Sequence, residues 1–87
     1  MLEFEYEVKD KVGLHARPAG LIVKAATPFK SEIFLKNMHT GNKADCKKLF
    51  ALMNLAVKYE TPIMVTVDGS DEKTAYETIK NTITENL

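Results

Sequence analysis

One cysteine, no tryptophan and only three prolines occur in this 87-residue chain, and neither sign of charge prevails. The lone thiol, Cys46, has no partner for an internal disulfide, so a reducing, cytosolic setting fits. One cysteine and two separated histidines, His15 and His39, do not make the ligand spacing of a zinc site. Neither a metal nor a cofactor is expected. Twelve Lys and Arg cancel twelve Asp and Glu, leaving no net field to draw the chain to nucleic acid or an anionic membrane. No apolar run approaches the ~20 residues that span a bilayer. The N-terminus alternates apolar and charged residues, unlike a signal peptide, and no nucleophile elbow is present. What remains is one domain over residues 1–87 with a modest core, and a monomer is its simplest state.

Residues 2–8 alternate strictly, which predicts a half-buried strand with Leu2, Phe4, Tyr6 and Val8 inward. Residues 16–27 predict a helix with a buried stripe of Ala19, Ile22, Val23 and Ala26, ended by Pro28. Ile33 and Leu35 share one face of a second strand. Residues 38–42 are turn-rich, so residues 43–46 return as a short third strand in which Cys46 packs as a small apolar residue. Residues 47–57 are apolar nearly all round at helical spacing. Leu52, Leu55 and Ala56 form one face; Leu49, Phe50 and Met53 form another, open to two readings, extra core or an exposed docking stripe. Ile63, Val65 and Val67 define a fourth strand. Asp71 is a candidate cap for a last helix that buries Ala75, Tyr76, Ile79 and Ile83.

The order is β-α-β-β-α-β-α. With strand four between strands one and two, the four-stranded sheet is antiparallel throughout and three helices cover one face. This is an α+β open-faced β-sandwich. The Glu3-Glu5-Glu7 face is then open to water. Those carboxylates repel phosphates and no aromatic platform accompanies them, which argues against RNA binding.

The densest chemistry lies in Gly13-Leu14-His15-Ala16-Arg17-Pro18-Ala19. Gly13 permits a sharp turn, and Pro18 is tolerated only in the first turn of a helix. His15 therefore falls at or next to the N-cap, where unpaired N–H groups and the positive dipole end favour an anion. Two readings apply: an imidazole that carries or contacts a phosphate, or an unusual cap. Ser, Thr, Asp or Asn would cap better, and the adjacent Arg17 supplies a charged donor fork. Gly20, inside the helix, costs ~1 kcal/mol relative to Ala and shares a flat face with Ala16.

This motif, together with Leu49-Phe50-Ala51-Leu52-Met53-Asn54-Leu55 and the element order, resembles the HPr family, the histidine-containing phosphocarriers of the bacterial sugar phosphotransferase system. The resemblance spans essentially the whole chain. It implies that His15 accepts a phosphoryl group through Nδ1 from phosphoenolpyruvate-charged enzyme I and passes it to a histidine of enzyme IIA. It also implies that the chain is a carrier and not an enzyme turning over a substrate by itself. On this reading His15 and Arg17 carry the chemistry, and Ala16 and Arg17 bind the phosphoryl oxygens. Ala16, Gly20, Leu49, Phe50 and Met53 meet the partner, with Lys24 and Lys48 as a positive rim.

The chain departs from that family in three places. Lys48, or Cys46 if counted without a gap, stands where many members carry a regulatory serine, so no serine-kinase control is expected. Ala56 and Glu60 stand where glycines are common. The missing serine, and an altered hairpin tip over residues 37–42 where the extra residues fall, leave room for a paralogue in a nitrogen-related or regulatory phosphotransfer branch. A plain interaction module using Leu49, Phe50 and Met53 is the competing class.

Overall fold

Alternation near the N-terminus becomes strand β1 (Leu2–Glu7), and the computed structural model describes every residue from 1 to 87. It is followed by α1 (Ala16–Ala26), β2 (Glu32–Asn37), β3 (Lys43–Asp45), α2 (Leu49–Met53), β4 (Pro62–Asp68) and α3 (Glu72–Asn86). The strands form one sheet in the order β1-β4-β2-β3, and every neighbouring pair is antiparallel. Phe4 pairs with Val65 and Leu35 with Val65 from the other side, so β4 is an inner strand, as is β2 between β4 and β3. The fold is the expected open-faced α+β sandwich.

Period-two alternation sends Ile33, Leu35, Ile63, Val65 and Val67 toward the helices, where each is fully buried. Ile22 of α1 and Ile79 and Ile83 of α3 meet them from the helical layer. Burying an Ile or Val side chain contributes ~1.5–3 kcal/mol, so this layer supplies much of the stability. Cys46 is fully buried in the same core, and its burial pushes the thiol pKa up, which keeps it inert. Val23 and Tyr76, expected in the buried stripes, are half-buried and pack at the core's margin.

The open face is less uniform than expected. Glu3, Glu5 and Glu7 are exposed along β1. Toward the opposite edge stand Phe34, Lys36 and Lys43, with the Lys43 Nζ 4.9 Å from the Phe34 ring centroid. The β2–β3 side of this face carries Glu32 and Asp45 as well as the two lysines, so its charge is mixed while that of β1 is acidic. A single ring makes no stacking platform.

Three local expectations are corrected. The helix expected over 47–57 is only the five residues of α2. Leu55 and Val57 lie in the loop that follows and are buried in the core from there, which is why their apolarity reads as helix continuation. Ala56, assigned to a helix face, is exposed and has φ 55°. Asp71 occupies the N-cap position of α3 but its side chain caps nothing there. It instead accepts from the Lys30 amide at 2.8 Å, the Ser31 amide at 3.0 Å and the Ser31 hydroxyl. Those bonds tie the start of α3 to the α1–β2 connection. Gly69 completes the junction, since a Cβ there would lie 2.6 Å from the Ser31 Cα.

Candidate functional site

The connection from β1 to α1 is held by backbone contacts before any side chain is considered. The Lys9 and Asp10 amides donate to the Leu87 carbonyl oxygen at 2.6 and 2.7 Å. The Gly13 amide donates to the Asp10 carbonyl at 3.0 Å, and the Leu14 amide to the Val57 carbonyl at 3.0 Å. Gly13 sits at φ 80° directly against the Val57–Lys58 backbone, and Leu14 is buried beneath. The loop therefore delivers His15 to α1 in a determined orientation.

His15 is the N-cap residue of α1, with extended backbone (φ −95°, ψ −173°), and its side chain caps no amide. The imidazole is about one-third exposed, its side chain having a relative accessibility of 35%. Ala16 and Arg17 follow at the first two helical positions and both are exposed. Neither of their amide N–H groups has an acceptor within the chain, whereas the Ala19 amide donates to the His15 carbonyl at 3.0 Å. Pro18 contributes no donor. Two free N–H groups and the positive end of an 11-residue helix therefore flank an accessible ring. No carboxylate pairs with the Arg17 guanidinium. Its charge is unpaired, two positions after His15 in the chain.

Asp10 was not among the residues singled out from the sequence. Its Oδ2 lies 3.5 Å from His15 Nε2, an ion-pair separation when the ring is protonated. Its Oδ1 accepts the Val12 amide at 2.8 Å. That amide, and to a lesser degree the His15 imidazole, hold the Asp10 carboxyl below its usual range against the opposing effect of partial desolvation. Asp10 and Arg17 also line one shallow depression together with Tyr6, Lys9, Glu85 and Leu87. A carboxylate five positions before a histidine has no sequence periodicity to mark it; the Asp10–Gly13 turn brings the two together.

The apolar stripe of α2 is divided by the fold. Phe50 is 75% exposed and Met53 37% exposed. Leu49, expected beside them on the surface, is half-buried and packs against the core, because α2 is a single short turn lying on α1 and β3. Lys48 is the exposed N-cap of α2 and Lys24 is exposed in the last turn of α1. Gly20 is half-buried, yet a Cβ placed on it would meet nothing within 4 Å. Packing inside the chain does not require it. Val12 and Tyr59 add exposed apolar surface on neighbouring loops. His39 is exposed at the β2–β3 tip, remote from any ligand set, and no cluster of three metal-ligating side chains exists. No helix is long and apolar enough to cross a membrane.

Residues 2–85 match the family model described as the PTS HPr component phosphorylation site. The chain is 42% identical over 79 residues to the HPr-like protein Crh of Halalkalibacterium halodurans, covering 91% of this chain and 92% of that protein. It is 36% identical over 86 residues to the phosphocarrier protein HPr of Mycoplasma genitalium, covering 99% and 97% respectively. A solved histidine-containing phosphocarrier protein from Mycoplasma superposes with a TM-score of 0.91 at 34% identity, over 97% of this chain and 93% of that one.

Proposed function

The chain belongs to the HPr family of phosphotransferase-system phosphocarriers, which carry phosphoryl groups and are not catalysts, and from that premise we propose that His15 is the carrier residue. In this reading His15 accepts a phosphoryl group from phosphoenolpyruvate-charged enzyme I and delivers it to a histidine of enzyme IIA in sugar uptake. The chain acts as a monomer. The observation that carries the reading is the accessible His15 ring beside the free Ala16 and Arg17 amides.

The chemistry is a direct exchange between two imidazoles. The lone pair of His15 Nδ1 attacks the phosphorus of the donor's phosphohistidine. The new N–P bond forms as the donor's N–P bond breaks, and that electron pair returns to the donor nitrogen. No water, oxidant or metal enters the balance. Such a step depends on in-line positioning and on holding spread negative charge. The Ala16 and Arg17 N–H groups donate to the phosphoryl oxygens, and the Arg17 guanidinium supplies a mobile positive fork. Phe50 and Met53 offer the partner an apolar contact, Ala16 and Gly20 a flat approach, and Lys24 and Lys48 a positive rim. Leu49 acts from beneath, supporting the patch.

Incubation with enzyme I and phosphoenolpyruvate is expected to yield one acid-labile phosphate per chain, absent from His15→Ala. Label persisting in His15→Ala would overturn the assignment. A second reading is favoured by the similarity to the HPr-like protein Crh: a carrier serving a regulatory or nitrogen-related branch. Transfer from the phosphorylated chain to a panel of IIA proteins separates the two, since the regulatory reading expects no transfer to sugar-specific members.

A further inference from the structure

Resting on the carrier reading, we infer that Asp10 is a positioning residue for phosphoryl transfer, acting on the His15 ring through Nε2. Its Oδ2 faces Nε2 at 3.5 Å, on the ring edge away from Nδ1. The carboxylate is itself held in place. Its Oδ1 accepts the Val12 amide, the Asp10 amide donates to the Leu87 carbonyl, and the Asp10 carbonyl accepts the Gly13 amide. An acceptor so placed keeps the proton of the neutral imidazole on Nε2, which leaves the lone pair on Nδ1.

Asp10 has a second effect along the reaction. When Nδ1 forms its bond to phosphorus while Nε2 keeps its proton, the ring becomes positively charged. A carboxylate beside Nε2 offsets that developing charge, as a buried aspartate does for the imidazolium of a hydrolase triad. The present 3.5 Å separation suits this, because hydrogen bonds to reacting groups are often long in the resting state and shorten as charge develops. Nothing is transferred to Asp10: the proton stays on Nε2 throughout, and the carboxylate gains no bond. Arg17 and Asp10 thereby divide the work, one facing the phosphoryl oxygens and the other the far side of the ring.

The test uses the intact chain and Asp10→Asn, which retains an oxygen for the Val12 amide but places an amide donor toward Nε2. Imidazole ¹⁵N chemical shifts, read at a pH where the ring is neutral, report the tautomer without any phosphorylation. The native chain is expected to show Nε2–H and the variant a shift toward Nδ1–H. Phosphorylation of the variant by enzyme I is expected to slow by roughly tenfold. Asp10→Glu, which keeps the charge, is expected to recover both readouts in part, separating charge from loop geometry. An unchanged tautomer in Asp10→Asn, or a shifted tautomer with an unchanged phosphorylation rate, would overturn the inference. If the native chain shows the Nε2–H tautomer but takes no phosphate from enzyme I, the carrier reading fails, and a role in that transfer fails with it.

Discussion

The carbonyl oxygen of Val57 lies 2.5 Å from the point where a Cβ on Gly13 would stand. The turn that presents His15 is therefore seated directly on the backbone after α2, and the Leu14 amide bonds to that same carbonyl. A segment more than forty residues away thus sets the height and angle of the candidate phosphorylation site. The glycine is required twice, by its positive φ and by the absence of space.

That double requirement can be separated experimentally. Gly41 has the same φ of 80° but nothing within 4 Å of its would-be Cβ. Gly41→Ala is expected to cost about 1 kcal/mol, the strain of a left-handed alanine alone. Gly13→Ala is expected to cost about 3 kcal/mol, because the loop must also lift from Val57. Urea unfolding of both variants measures the difference, and equal losses would show that the Val57 contact carries no energy.

Ala56 and Glu60 are the two residues other than glycine with positive φ, at 55° and 66°. Both stand in the segment against which Gly13 rests, and both are exposed. Relieving that strain outweighs the added freedom of the unfolded chain. Ala56→Gly and Glu60→Gly are each expected to raise stability by about 0.5–1 kcal/mol, read as an upward shift in Tm. A fall in Tm would mean that the backbone there is not under strain.

Gly20 offers a contrast, because its helix interior has room for a side chain. Gly20→Ala is expected to stabilise the fold by up to about 1 kcal/mol. If a partner approaches this face closely, the same methyl group slows phosphoryl transfer. Measuring Tm and the enzyme I labelling rate on one variant distinguishes a helix effect from a docking effect. Faster unfolding would contradict the open space seen around Gly20.

Phe50 and Leu52 stand two residues apart in α2 with opposite surroundings, 75% exposed and fully buried. Leu52→Ala is expected to cost 2–5 kcal/mol, roughly, through a core cavity. Phe50→Ala is expected to change stability by less than about 0.5 kcal/mol while raising the apparent KM for enzyme I. A large loss of stability in Phe50→Ala would assign that ring to packing instead of docking.

Asp71 gives a pH signature. The Ser31 hydroxyl and then the Lys30 amide hold its carboxyl below the usual 3.8, against partial desolvation, with the Ser31 amide adding to the effect. A carboxyl whose folded pKa is depressed binds fewer protons in the folded than in the unfolded state. Its contribution to stability is therefore full above about pH 4–5 and is lost as pH falls below 3.8 through the folded value. Asp71→Asn is expected to be less stable than the native chain at neutral pH and to converge with it in acid. Parallel unfolding curves from neutral to acid pH would show that the Ser31 junction is electrostatically silent.

Alternation in residues 2–7 and 63–67, and helical spacing around Ile22 and Ile79, made the strands and long helices legible, because each buries one face against a single layer. The Gly13–Pro18 motif likewise announced a histidine at a helix start, since proline and glycine restrict the backbone locally. The end of α2 was not legible. Leu55 and Val57 are buried from the loop after α2, and apolar residues read alike whether a helix or a loop carries them.

Local rules decided where a helix begins, which strand faces turn inward, and that an imidazole stands at the amino end of α1. Only tertiary structure decided what that imidazole meets. Asp10 reaches Nε2 through a turn held by Leu87 and Val57, and Asp71 leaves its own helix to bind Ser31. Leu49 sinks beneath a patch that Phe50 and Met53 leave open. Such pairings depend on backbone segments distant in sequence meeting in space, and no spacing along the chain records that meeting.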